Sequence, residues 1–160
     1  MTETSLTGSC FCGSVRYRLT RGPMFVHCCH CRDCQKQTGG AFAINALIER
    51  SCIVLAEGSA EPVRTEAKTD SGRPHDIYRC PECQTALWSD YGRRGVMVFL
   101  RVATLDEGYG IEPDVHIFTR SKLPWVVLPP GARSFDVYYD MKREWPAASL
   151  ARRRAILGDG

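Results

Sequence analysis

The stretch HCCHCRDC, His27 to Cys34, packs four cysteines and two histidines into eight positions, and one close cysteine pair stands on each side of it, Cys10-Phe-Cys12 and Cys80-Pro-Glu-Cys83. Of the nine cysteines only Cys52 lies outside these clusters. An odd count suits a disulfide framework poorly, and the start of the chain, MTETSLTGSC, has neither the basic residues nor the apolar run of a secretory leader. The sequence therefore places the protein in the cytoplasm, where thiols stay reduced and clustered cysteines serve as metal ligands or reactive groups. The fold has to bring distant pairs of thiols together, and that limits it more than any propensity does.

Zinc takes four thiolates at tetrahedral angles, and two short-spaced pairs carried to one place by a sheet supply that geometry with little strain. Cys10, Cys12, Cys80 and Cys83 are expected to form a closed structural zinc site, because four protein ligands leave no position for a substrate. The competing reading is two unconnected pairs of buried or redox thiols. It lacks the strand–helix–strand setting that a thioredoxin-like Cys80-x-x-Cys83 would need. Gly13 follows Cys12, but Gln84 stands after Cys83, so the second turn is expected to be less regular.

The central run permits two registers. Cys28, Cys31 and Cys34 read C-x2-C-x2-C, whereas Cys29, Cys31 and Cys34 read C-x-C-x2-C, and spacing does not choose between them. The first matches the start of a bacterial ferredoxin run, but Thr38 and Gly39 stand where that run has its fourth cysteine and proline. The second brings three thiolates to one metal and leaves a gap, which is how catalytic zinc is held. His27, His30, Asp33, Cys52 and His116 are the candidates to fill it, although each taken alone reads more simply as a packed or hydrogen-bonded residue. Three thiolates weaken zinc as a Lewis acid, so the soft ligand set suits a substrate thiol better than water. Coordination would deprotonate that thiol beside any electrophilic carbon entering the site. The reaction class is addition of a thiol to a carbonyl, or its reverse, cleavage of a carbon–sulfur bond.

At 160 residues, with no apolar run of membrane-spanning length, the chain reads as one globular domain. Short segments rich in β-branched and aromatic residues, separated by glycine and proline, predict an all-β fold with short helical turns. Strands are expected at 15–19, 42–47, 53–55, 63–67, 76–79, 86–89, 96–102 and 116–118. Helical stretches are expected at 31–37 and 147–157, and breakers include Gly39-Gly40 and Gly108-Tyr109-Gly110. The formal charge of +3 counts every thiol as neutral. One zinc with four thiolates carries about −2 and one with three about −1, which cancels it. A nucleic-acid partner has little support, because no basic face interleaved with aromatics is present.

Three stretches, Cys10-Phe-Cys12-Gly13-Ser-Val15-Arg-Tyr17, Cys29-His-Cys31-Arg-Asp-Cys34-Gln with Gly39-Gly40-Ala41-Phe42, and Tyr78-Arg-Cys80-Pro-Glu-Cys83, resemble the glutathione-dependent formaldehyde-activating enzymes, also described as the CENP-V/GFA domain. His116-Ile-Phe, Ser121-Lys122 and Pro124-Trp125 extend the likeness, which covers the chain from about Gly8 to Asp136. The resemblance implies a zinc-containing β-tent fold of small coiled antiparallel sheets. It also implies two zincs per chain: a structural one at Cys10, Cys12, Cys80 and Cys83, and a catalytic one at Cys29, Cys31 and Cys34, in the second register. The domain is taken as residues 1–140, followed by a tail or short helix over 141–160. The implied activity is a carbon–sulfur lyase type, condensing glutathione with formaldehyde to S-hydroxymethylglutathione or reversing that step. Its partners are a small thiol and a small aldehyde, with no nucleic acid and no membrane. Gly39 and Gly40 would let backbone approach the substrate or form a plain turn, and Arg32 and Lys36 are the nearest cations in sequence to meet its negative charge, although they read more simply as exposed solubilising charge. The alternative is a non-catalytic, zinc-stabilised binding module.

Overall fold

The computed structural model describes residues 6–107 and 110–158, so Gly108 and Tyr109 of the expected turn lie outside the described residues. The fold is β-rich, with two sheets and a few short helices. β1 (Thr7–Ser9), β2 (Arg16–Leu19) and β5 (Ile53–Leu55) form a three-stranded antiparallel sheet in that order. The second sheet has seven strands. Its order is β10 (Val115–Ile117), β3 (Phe25–Cys29), β4 (Ala43–Glu49), β9 (Met97–Arg101), β8 (Ala86–Tyr91), β7 (His75–Arg79) and β6 (Val63–Ala67). All its pairings are antiparallel except β10 with β3, which makes the sheet mixed. The long connection from β3 to β10 removes the constraint that a hairpin would place on direction.

β3 has no counterpart among the strands read from sequence. All five of its residues are buried, so FVHCC shows no alternation of apolar with polar. A strand covered on both faces loses the period-two signal. Its neighbours explain the burial. One core, with Val26, Ala46, Ile48, Trp88, Val98 and Leu100, lies between the two sheets, and Gly8 on β1 touches the Tyr17 ring so closely that a Cβ there would stand 2.4 Å from it. A second core lies on the opposite face, where Phe25, Cys29, Leu47, Met97 and Ile117 meet Tyr139 and Trp145.

Helices α1 (Arg32–Thr38), α2 (Met141–Glu144) and α3 (Ala147–Leu157) complete the fold, and among the described residues no helix is long and apolar enough to cross a membrane. The C-terminal helices are tied to the sheet. Trp145 stacks on Phe25 with ring centroids 5.3 Å apart, and Leu150, Ile156 and Leu157 pack on the second core. Ser149 Oγ donates to the Met24 carbonyl at 2.6 Å. Arg152 donates to both carboxylate oxygens of Glu49, at 2.8 and 2.6 Å, and to the Gly22 carbonyl.

Glu49 sits on β4 with its side chain 7% exposed. Burial opposes its ionisation, but the hydrogen bonds and charge of Arg152, with the charge of Arg21, hold its carboxyl below the ordinary range. Replacement of Arg152 by alanine is expected to cost about 2 kcal/mol in urea unfolding at pH 7, because it leaves a buried carboxylate without its partner. A folded-state pKa below the unfolded value stabilises the fold above roughly pH 4.3, and the contribution is lost as the pH falls through the lowered value. The difference between wild type and variant should therefore narrow below about pH 4. A difference that stays constant down to acid pH would mean that packing by Arg152, not its charge, holds α3.

Candidate metal centres

The first thiol group forms where the turn after β1 meets the turn between β7 and β8. The first turn is closed by Gly13 N donating to the Cys10 carbonyl at 3.1 Å, with Gly13 in the left-handed region. The second is closed by Gln84 N donating to the Cys80 carbonyl at 3.1 Å. Gln84 takes a φ of 62°, so it adopts the conformation that glycine would take there and the turn keeps its form. Phe11 N donates to Thr85 Oγ1 across the two turns. The ligand atoms of Cys10, Cys12, Cys80 and Cys83 all lie within 4.8 Å of one another, with Cys12 Sγ 3.5 Å from Cys10 Sγ and 3.7 Å from Cys80 Sγ. A tetrahedral zinc with Zn–S of about 2.3 Å places its sulfurs about 3.8 Å apart, so these residues fit the ion.

The second group is built at the end of β3. Cys29 closes the strand, Cys31 is the N-cap of α1, and Cys34 lies one turn into that helix with its N–H donating to Cys31 Sγ at 3.3 Å. The three sulfurs lie within 4.8 Å of one another. Hydrogen bonds from Cys29 and Cys34, and the amides of Cys34 and Asp33, pull the Cys31 thiol far below its ordinary range, while Cys29, donating to it, is pushed up.

Among the described residues no fourth cysteine, histidine or carboxylate joins this group. His27 points to the second core, where it pairs with the Tyr139 hydroxyl, and burial brings it down to about 3. Asp33 accepts from Asp70 N at 3.1 Å and anchors the loop before β7, and Cys52 packs beside the first core. His30 and His116 gather with Cys28 in a third group.

A cavity of about 600 Å³ opens over Cys29, Cys31 and Cys34 on one face of the seven-stranded sheet, between α1, the 69–73 loop and the segment around Tyr138. Arg32 lines it and Lys36 does not. Gly39 is the left-handed cap that ends α1, donating to the Gln35 carbonyl at 2.9 Å, and neither it nor Gly40 lines the cavity. Four further arginines line it: Arg73, Arg94, Arg101 and Arg120.

Arg101 had no signal in the sequence beyond its place in a strand. It is 7% exposed and donates to Asn45 Oδ1 and, at 3.4 Å, to Gln37 Oε1, while its Nε is buried without a partner. Burial disfavours its charge, and the sulfurs of Cys34 and Cys29, once ionised, oppose that effect. A divalent ion with three thiolates carries about −1, so this guanidinium balances such a site. Together with the convergence of the three sulfurs, that balance shows that the residues fit zinc.

Residues 5–121 match the family described as glutathione-dependent formaldehyde-activating enzyme. A Halomonas elongata protein provisionally named a glutathione-dependent formaldehyde-activating enzyme is 30% identical over 157 residues, covering 96% of each chain. A crystal structure of a Rhodobacter sphaeroides protein aligns at 22% identity with a TM-score of 0.44, over 67% of this chain and 91% of that one, a likeness too distant to carry an argument.

The two thiol groups should respond differently to mutation. Cys31→Ser is expected to lose one metal equivalent by plasma mass spectrometry and to keep its far-ultraviolet dichroism. Cys80→Ser is expected to lose an equivalent and also to lower the thermal midpoint by several degrees, since it frees the β1 turn from the β7–β8 turn. Unchanged metal content in Cys31→Ser would show that its sulfur group holds no stable ion.

Proposed function

Since the chain belongs to the glutathione-dependent formaldehyde-activating enzyme family, we propose that it joins a small thiol of the glutathione kind to a small aldehyde such as formaldehyde, and reverses that step. In this reading Cys29, Cys31 and Cys34 hold a catalytic zinc, and Cys10, Cys12, Cys80 and Cys83 hold a structural one within a β-tent fold. The observation that carries the proposal is the group of three thiols, joined by no fourth ligand among the described residues, on the floor of an arginine-lined cavity.

Zinc at these three thiols would supply a soft fourth position at which a thiol gives up its proton at neutral pH. The sulfur lone pair then forms the carbon–sulfur bond at the carbonyl carbon. The carbonyl π pair moves to oxygen, which takes up the proton the thiol released, so the addition is balanced without a redox partner. The reverse breaks the same bond and frees both molecules. Arg101 offsets the charge of the three sulfurs, and Gln37, bonded to both His75 Nδ1 and Arg101, fixes its position. Burial brings His75 down to about 4, so this neighbour is uncharged at pH 7 and does not repel the guanidinium. Arg73 and Arg120 are exposed cavity-lining residues, placed to meet the carboxylates of a glutathione-like thiol.

Exchange NMR on mixtures of glutathione and formaldehyde tests the activity. Wild type should accelerate exchange with S-hydroxymethylglutathione and saturate with thiol, and Cys31→Ser should abolish the acceleration. No acceleration by wild type with its metal in place would sink the enzyme reading and favour the binding module.

A second variant tests the charge balance. Arg101→Gln keeps hydrogen-bonding capacity but removes the charge, and is expected to weaken retention of one metal equivalent by about 10–100-fold in chelator competition. Retention equal to wild type would remove Arg101 from the site's chemistry.

A further inference from the structure

We propose that Cys28, His30 and His116 form a third metal centre, on the face of β3 opposite Cys29, which takes one late first-row transition ion, zinc or copper. It stands whether or not the cavity is catalytic, because it shares no ligand with the other two groups.

Consecutive side chains on a strand point to opposite faces, so the doublet Cys28-Cys29 sends one thiol to each side of the sheet. Cys29 goes to the second core, with Ile117 of β10. His116 stands directly beside Cys28 in the parallel register and so shares its face. His30 N donates to the Ile117 carbonyl at 3.0 Å, which continues the β3–β10 pairing one residue past the strand and returns the His30 side chain to the Cys28 face. The pairing alone therefore gathers all three side chains.

The spacing is that of a coordination sphere. Cys28 Sγ is 3.6 Å from His30 Nε2, and His30 Nε2 is 3.1 Å from His116 Nδ1. Metal–sulfur and metal–nitrogen bonds of about 2.3 and 2.0 Å at tetrahedral angles set sulfur and nitrogen about 3.5 Å apart and two nitrogens about 3.3 Å apart. The three residues are 1%, 0% and 9% exposed, and the Phe42 ring lies 5.3 Å from the His30 ring on one side. One thiolate and two imidazoles form a borderline-soft donor set, which suits zinc or copper and excludes magnesium and calcium. Among the described residues no fourth cysteine, histidine or carboxylate joins, so the fourth position is left for water or a small ligand.

The test locates the ion in the wild-type protein. Cells are grown with added zinc or, separately, added copper, and the protein is purified and crystallised without chelator or further metal. Anomalous diffraction at each metal's edge should place a peak between Cys28 Sγ, His30 Nε2 and His116 Nδ1, and the edge at which it appears identifies the ion. No peak there in either preparation overturns the proposal and leaves the three side chains as a hydrogen-bonded cluster. In solution, Cys28→Ser and His116→Gln should each hold one equivalent less than wild type. The double variant Cys28→Ser/Cys31→Ser should lack two equivalents, because the ions are independent. The wild-type map decides the matter if either variant fails to fold.

Discussion

β3 is buried on both faces and hydrogen-bonded on both edges, parallel to β10 and antiparallel to β4, so the direction of each of its side chains is fixed by the period of two. Everything around the central cysteine run follows from that confinement. Phe25, His27 and Cys29 face the second core and the cavity, while Val26 and Cys28 face the other way. A slip of one residue in register would exchange the two sets and break both groups of donor side chains together. The C-terminal helices belong to the same constraint, because Trp145 on Phe25 and Ser149 on the Met24 carbonyl hold the strand's first residues in place.

Charge is the second organising quantity. Close-packed thiols cannot all ionise unless a cation compensates them, and the fold offers two kinds of compensation. One is the metal that the donor sets fit. The other is Arg101, a buried guanidinium whose Nε has no partner, set where the Cys29 and Cys34 sulfurs act on it once they ionise. Isolated in this sheet, such a guanidinium would be costly; beside an anionic sulfur group its cost is offset. The arginines around the cavity extend the same positive field toward solvent, which suits an anionic substrate better than a neutral one.

The sequence was most legible where chemistry is local. The edges of β5, β6 and α3 fall where breakers and periodicity set them, because those features depend on neighbouring residues alone. The two outer cysteine pairs were legible as one group, since four soft ligands in two tight turns have few other uses. β3 escaped because it is covered on both sides, so FVHCC carries no alternation of apolar with polar residues. Arg101 escaped because a single arginine in a strand carries no local mark of what it faces.

By itself, then, the sequence determined the donor chemistry: which residues can serve as soft ligands, that they come in clusters, and that short strands separate them. Spacing left open how those side chains are divided, and the tertiary structure decided it. Cys28 and Cys29 are adjacent in the chain, and spacing offered them as rival registers for one group. The sheet sends them to opposite faces, Cys29 to Cys31 and Cys34, and Cys28 to His30 and His116. That division rests on the pairing of β3 with β10, a contact between distant parts of the chain that no local pattern encodes.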